Sequence, residues 1–188
     1  MGSVRFAPMT SYIALLRGIN VGGHKLVAMS ELREAVASLG HADVRTLLQS
    51  GNLVFRCAET SPAALEAQLE AALLEKLGLR TTIFVRDAAC WAEVIAANPF
   101  PEEAARDPSH LLVMFLQDEP RPEAVAALQA SIKDTEVVHV VGRRAYITFP
   151  QGIGRSRLAN AVIDAKLGTR GTGRNWNTVL KLDALLRA

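Results

Sequence analysis

"VRTLLQSGNLVFR", residues 44–56, is the stretch on which the fold turns. Two short apolar runs flank Ser50-Gly51-Asn52, a turn-forming trio, and together they predict a β-hairpin. On its N-terminal side, "SELREAVASLG" (30–40) reads as a helix with Ser30 as N-cap and Gly40 as stop. Before that, "YIALLRG" (12–18) is an apolar run closed by Gly18, the pattern of a buried strand. On the C-terminal side, Ser61 and Pro62 open a helix that runs through Leu77 and closes at Gly78. "TTIFVR" (81–86) is rich in β-formers, and Asp87 caps a further helix that ends before Asn98-Pro99. The order is βαββαβ plus a linking helix, and βαββαβ is the split-βαβ, ferredoxin-like arrangement.

The pattern then begins again. "NPFPEEAARDPS" (98–109) reads as a linker, "HLLVMFL" (110–116) as a strand and 122–132 as a helix. "EVVHVVGRRAYITFP" (136–150) is a second hairpin around Gly142. Helices at 156–167 and about 174–187 complete βαββαα. The expectation is an α+β fold of two ferredoxin-like-related halves, antiparallel sheets packed against helices. The N-terminal half covers 10–98, and the C-terminal half with its two terminal helices covers 109–188.

Length and composition agree. The chain has 188 residues and 49% hydrophobic content, enough to bury a core unaided by metals or disulfides. No apolar run approaches the roughly 18 residues of a membrane span. The opening "MGSVRFAPMT" lacks a signal-peptide core and offers Phe6 where N-myristoylation wants Ser or Thr, with Met9 as an alternative natural start. Cys57 and Cys90 form no CxxC. These features predict a cytoplasmic protein with no membrane partner. The net charge of +2 conceals an asymmetry. Residues 1–140 carry twelve Lys and Arg against seventeen Asp and Glu, whereas residues 141–188 carry nine against two. Such segregation points to an anionic partner or to charges paired between the halves.

Four ordered segments, "ALLRGINVGGHKLVAMSELR", "TLLQSGNLVF", "PQGIGRSRL" and "GTGRNWNTVLKL", resemble the bacterial family called domain of unknown function 1697, over about Tyr12 to Leu186. The resemblance implies two ferredoxin-related α+β units and no particular reaction. Activity has to come from the residues.

"RGINVGGHK" lies between a first strand and a first helix, where phosphate-binding loops lie. It is neither a P-loop, since His24 intervenes before Lys25 and Leu26 stands where Ser or Thr is needed, nor a GxGxxG fingerprint. Gly22 and Gly23 read as turn residues, and Arg17, Asn20 and Lys25 as candidate ligand contacts. "PQGIGRSRL" sets Arg155 and Arg157 beside a predicted helix N-terminus. That placement is unfavourable by roughly 0.3–1 kcal/mol each without an anion. Ser156 reads as an N-cap, because Leu158 stands where the GxSxG elbow has its last glycine.

In "GTGRNWNTVLKL", helical spacing puts Trp176, Val179, Leu182 and Leu186 on one stripe and Arg174, Asn177 and Lys181 on another. Trp176 therefore reads as a core anchor, Asn175 or Thr172 as the helix cap, and the opposite stripe as a donor-rich face suited to phosphate or carboxylate. The four histidines form no HxxxH or HExxH and the cysteines no cluster, so no metal site is expected, and no motif calls for a cofactor. The leading expectation is an anion-recognising module whose Arg155, Arg157, Arg174, Asn177 and Lys181 contact phosphates, those of nucleic acid included, with the Arg17–Lys25 loop completing the site. The hairpin lacks the aromatic stacking pair of an RNA-recognition sheet, so such binding would follow the backbone. One alternative is an enzyme acting on a small phosphorylated metabolite, with His24 as the nearest general base. The other is a partner-binding or dimerising module.

Overall fold

The computed structural model describes residues 8–23 and 25–188. Its elements follow in the order β1 (Met9–Leu16), α1 (Met29–Ala37), β2 (Ala42–Leu47), β3 (Asn52–Ala58), α2 (Pro62–Leu77), β4 (Ile83–Asp87) and α3 (Ala88–Ala96). Then come α4 (Pro101–Arg106), β5 (Leu111–Leu116), α5 (Pro122–Ser131), β6 (Val137–Val141), β7 (Arg144–Thr148), α6 (Asn160–Leu167), β8 (Gly171–Asn175) and α7 (Trp176–Arg187). The strands form two four-stranded antiparallel sheets, ordered β2-β3-β1-β4 and β6-β7-β5-β8. The second order is the first with every label advanced by four, so the α+β architecture of two similar halves holds. The described residues up to Trp91, with Ala184–Ala188, make one compact unit, and Ala92–Asp183 the other.

In the first unit Tyr12, Ala14 and Leu16 of β1 point into a cluster with Leu32 and Val36 of α1 and Leu65, Leu69 and Leu73 of α2. Ile13 and Leu15, on the opposite face, are buried too. Strands buried on both faces lose the polar alternation of a half-exposed strand, which is why "YIALL" reads as one apolar run. The second unit repeats the scheme, with Leu112, Met114 and Leu116 of β5 packed with Leu128, Ile163 and Leu167. Local signals fall where expected around α2: Ser61 Oγ accepts from Ala64 N–H at 3.2 Å, Pro62 opens the helix, and Gly78 closes it at φ 62. Gly51 at φ 77 is required twice over, because a Cβ there would stand 2.5 Å from Ile19 Cδ1.

Three sheet edges are guarded. Glu66 and Glu70, one turn apart on α2, accept from the Val85 and Ile83 N–H groups of edge strand β4, both at 2.8 Å. Asp164 of α6 accepts from Gly171 N–H of edge strand β8 at 2.9 Å. Edge strand β2 carries a register shift between Ala42 and Arg45, with Asp43 at φ 52, the kind of bulge that twists an edge away from pairing.

The structure departs from the sequence-based expectation at four places. The segment 98–109 holds the short helix α4, opened by Pro101. Helix α1 starts at Met29 behind Ala28, so Ser30 lies in its first turn and Glu31 Oε2 accepts from Ala28 N–H at 3.2 Å. Helix α6 starts at Asn160 behind Ala159, because Ser156 is held in the extended backbone that follows a single 3-10 turn at Ile153–Arg155. Most consequentially, "GTGRN" is strand β8, so the second half is βαββαβα. Its glycines conceal the strand. A Cβ on Gly173 would lie 2.9 Å from Met114 Sδ and 3.0 Å from Leu112 Cδ1; one on Gly171 would lie 3.0 Å from Leu116 Cδ2. The side chains of β5 lean over β8 and fill the space its own side chains would need.

Candidate functional site

The units differ in where their connections are long. Between first strand and first helix, the first unit spends residues 17–28 and the second 117–121; between third strand and second helix the contrast reverses, 59–61 against 149–159. Each long connection carries part of the predicted site.

The 17–28 connection is a knitted loop. Asn20, at φ 53, donates from Nδ2 to Gln49 O at 2.8 Å and Val27 O at 3.2 Å, and accepts from Val27 N–H at Oδ1 at 2.9 Å. Its amide thus fastens the loop to the β2–β3 turn. Arg17 is half-buried, its carbonyl accepting from Thr81 Oγ1 at 2.7 Å, while Lys25 is exposed at φ 49. His24 lies outside the described residues, as do Phe6 and the rest of 1–7.

The 149–159 connection borders a groove of about 590 Å³. Three cations from separate segments line it, Lys133 after α5, Arg157 before α6 and Lys166 late in α6, beside apolar Ile132, Leu158 and Val162. Asp134 and Glu136 are the acids on its wall, and Glu136 accepts a hydrogen bond from the Ser156 hydroxyl. Ser156 Oγ in turn accepts from Leu158 N–H at 3.0 Å, which sets the chain leading into α6. Arg155 is exposed on the 3-10 turn and does not line the groove. With α6 beginning at Asn160, the clash of Arg155 and Arg157 with a helix dipole disappears; Arg157 contributes through the groove instead.

Arg174 is not on a helical face with Asn177 and Lys181. It lies on β8, paired opposite Val113 and 7% exposed, donating to Thr172 Oγ1 at 2.9 Å and Gly173 O at 2.8 Å. Burial pushes its guanidinium down to about 10, which leaves it protonated at neutral pH. Asn177 and Lys181 share an exposed face of α7, whereas Trp176, Val179 and Leu182 are buried and Leu186 is half-buried. Asn175 is the cap, its Oδ1 accepting from Thr178 N–H at 3.0 Å. Of the eight sequence-derived candidates, Arg157 alone lines the groove. Lys133 and Lys166 escaped notice because they sit in ordinary helix-end contexts, where lysine complements the dipole.

A second hollow of about 290 Å³ in the same unit is lined by Glu103, Arg106, Asp107, His110, Thr148, Phe149 and Pro150. His110 Nδ1 meets Asp107 Oδ2 at 3.0 Å and Ser109 Oγ donates to Asp107 Oδ1 at 2.5 Å. The Ser109 hydrogen bond, with His110 nearby, holds the Asp107 carboxyl below its ordinary range. Asp107 stands between serine and histidine, whereas a hydrolytic triad needs the histidine in the middle.

No helix among the described residues is long and apolar enough to cross a membrane. The chain is similar in structure to the conserved bacterial protein SP0830 from Streptococcus pneumoniae, with 24% identity, a TM-score of 0.72, and coverage of 95% of this chain and 99% of that one. That likeness speaks for the fold. No curated protein matches the chain. The family model described as protein of unknown function (DUF1697) matches residues 9–146, most of both sheets, and the chain belongs to that family.

Proposed function

We propose that the protein is an anion-recognising module whose binding site is the groove between the end of α5 and α6. The single observation behind this reading is that Lys133, Arg157 and Lys166, from three separate segments, line one concavity together with apolar side chains. A guanidinium and two ammonium groups supply donors and charge to a phosphate or carboxylate, and Ile132, Leu158 and Val162 supply contact for the body that bears it. Glu136 competes less for these cations than a free carboxylate would, because Ser156 already donates to it. A groove of about 590 Å³ suits a small phosphorylated molecule better than a nucleic-acid backbone, which would follow a longer track of cations.

Isothermal titration calorimetry with inorganic phosphate, pyrophosphate and a nucleoside monophosphate tests this. Arg157→Ala and Lys166→Ala are each expected to weaken binding roughly tenfold, the worth of one charge-assisted contact. Lys181→Ala, on α7, should leave affinity unchanged. If all three probes fail at low salt the reading is wrong. Fluorescence anisotropy with single- and double-stranded RNA and DNA over a salt series then decides whether the cations serve a backbone, through the slope of log K against log salt.

A further inference from the structure

Among the described residues, edge strand β6 has neither a bulge like that of β2 nor a carboxylate on its N–H groups like those on β4 and β8, and its guard is a single glutamine of α5. Its sequence, Val137-Val138-His139-Val140-Val141, has no acidic or basic side chain besides the histidine, no proline and no bulge, and it pairs with Arg144–Thr148 in unbroken register. Gln129 Nε2 donates to Val138 O at 2.9 Å, leaving that carbonyl a second lone pair. Val137 is 52% exposed and His139 is exposed, while Val138 and Val140 face the core. Uncharged, unbulged edges of β-branched residues are templates for another strand.

The sequence specifies which strand fits. Val-Val-His-Val-Val reads the same in both directions, and its flanks differ in charge: Asp134 and Glu136 outnumber Lys133 before it, and exposed Arg143 follows it, whereas half-buried Arg144 already lies 3.7 Å from Glu93. We propose that β6 pairs antiparallel with β6 of a second copy of this chain about a two-fold axis through His139. Val137 of one copy then faces Val141 of the other, Val138 faces Val140, and the two histidines meet on the axis. Antiparallel pairing brings the acidic flank of each copy against the basic flank of its mate, at both ends of the ladder. An isologous contact needs such a surface, complementary to itself under rotation. Cross-strand pairs of β-branched residues and of opposite charges are the stabilising unit of a sheet. The contact joins the two copies' sheets into one of eight strands. Because it spans only five residues a side, it belongs with the small, concentration-dependent interfaces. The contact adjoins the groove proposed above, since Asp134 and Glu136 stand on its wall, but association is read by sedimentation with no anion present and so is tested independently of that reading.

Sedimentation velocity over a wide concentration series is the test. The wild-type chain should pass from monomer to dimer as concentration rises. His139→Glu sets two carboxylates face to face on the axis and should weaken the dimer roughly tenfold or more. Arg143→Glu and Asp134→Arg should each weaken it, and the double variant should recover most of the loss. Unchanged far-UV circular dichroism and melting temperature establish that these exposed substitutions leave the fold intact. A wild-type chain that stays monomeric throughout overturns the proposal and leaves the edge to a strand from another protein. A dimer indifferent to His139→Glu, or a double variant no better than the single ones, overturns it equally.

Discussion

Strands β4 and β8 hold the same place in their sheets, each at an edge beside the first strand of its unit, and they share space with that strand in opposite ways. In the first unit Val85 stands opposite Ala14 and Ile83 opposite Leu16; in the second, Gly173 stands opposite Met114 and Gly171 opposite Leu116. At the first pair bulk has moved from the edge strand to the central one; at the second the central leucine stays and only the edge residue shrinks, from Ile83 to Gly171. Cores tolerate such an exchange where the volume of the pair is kept, as between Val85 with Ala14 and Gly173 with Met114. One position further on the strands agree again. Arg86 and Arg174 are both buried, and Asp87 and Asn175 each cap the helix that follows, accepting from Cys90 N–H at 2.7 Å and Thr178 N–H at 3.0 Å. The backbone plan and the strand-to-helix corner are common to both units, and the packing between them and the corner is negotiable.

The sharpest way to break the comparison is to copy one unit's solution into the other. Gly173→Val should cost about 3 kcal/mol in urea unfolding, since the new side chain collides with Met114 and Leu112. Met114→Ala alone should cost about 2–5 kcal/mol as a cavity. Together they recreate the Val85–Ala14 pair, and the double variant should be more stable than the sum of the two by roughly 1–3 kcal/mol. Additive losses would show that the two strands are not interchangeable solutions of one packing problem.

A smaller effect separates the edge guards. Glu66→Ala frees the Val85 N–H and also removes the carboxylate 3.7 Å from buried Arg86, whereas Glu70→Ala frees the Ile83 N–H alone. The first should cost about 2–3 kcal/mol and the second about 1, read from denaturation midpoints. Equal losses would mean that Arg86 draws little from Glu66. Smaller still are the corner caps: Asp87→Ala and Asn175→Ala should each lower stability by about 1 kcal/mol, and by similar amounts if the corners are equivalent.

The gentlest probe is pH, and it acts on the first unit. His41 stacks on Phe55 with ring centroids 4.8 Å apart, and burial pulls its imidazole below the ordinary histidine value, partly opposed by a hydrogen bond with Gln68. As pH falls through about 6.5, the unfolded chain takes up this proton before the folded one does, so stability declines on acidification. His41→Gln should flatten that part of the stability–pH curve; an unchanged slope would assign it to other groups.

Much of this was readable from residues. The split order of elements follows from one hairpin inserted after one helix, and Ser61, Pro62 and Gly78 sit where capping chemistry demands. Sequence and structure part where a neighbour's side chain, and not the local signal, decides. Gly171 and Gly173 look like a loop because the reason for glycine lies on Met114 and Leu112, some sixty residues earlier in the chain. Once that strand is missed, Arg174 falls on the wrong side of a helix that has not yet begun. Ser156 has the composition of an N-cap, yet its hydroxyl goes to Glu136 and holds the chain extended. The groove was invisible for a related reason, since Lys133, Arg157 and Lys166 carry no common motif and converge only through the packing of α5 beside α6.

The division of the chain has a consequence for its synthesis. The first unit is completed by Ala184–Ala188, whereas the second is built from the uninterrupted stretch Ala92–Asp183. On a ribosome, where domains form as they emerge, every residue of the second unit is made before the closing residues of the first. The N-terminal sheet can therefore assemble early yet gain its last contacts only after its sister has been translated. Stalled-chain proteolysis would register this as protection of the second unit before the first is complete.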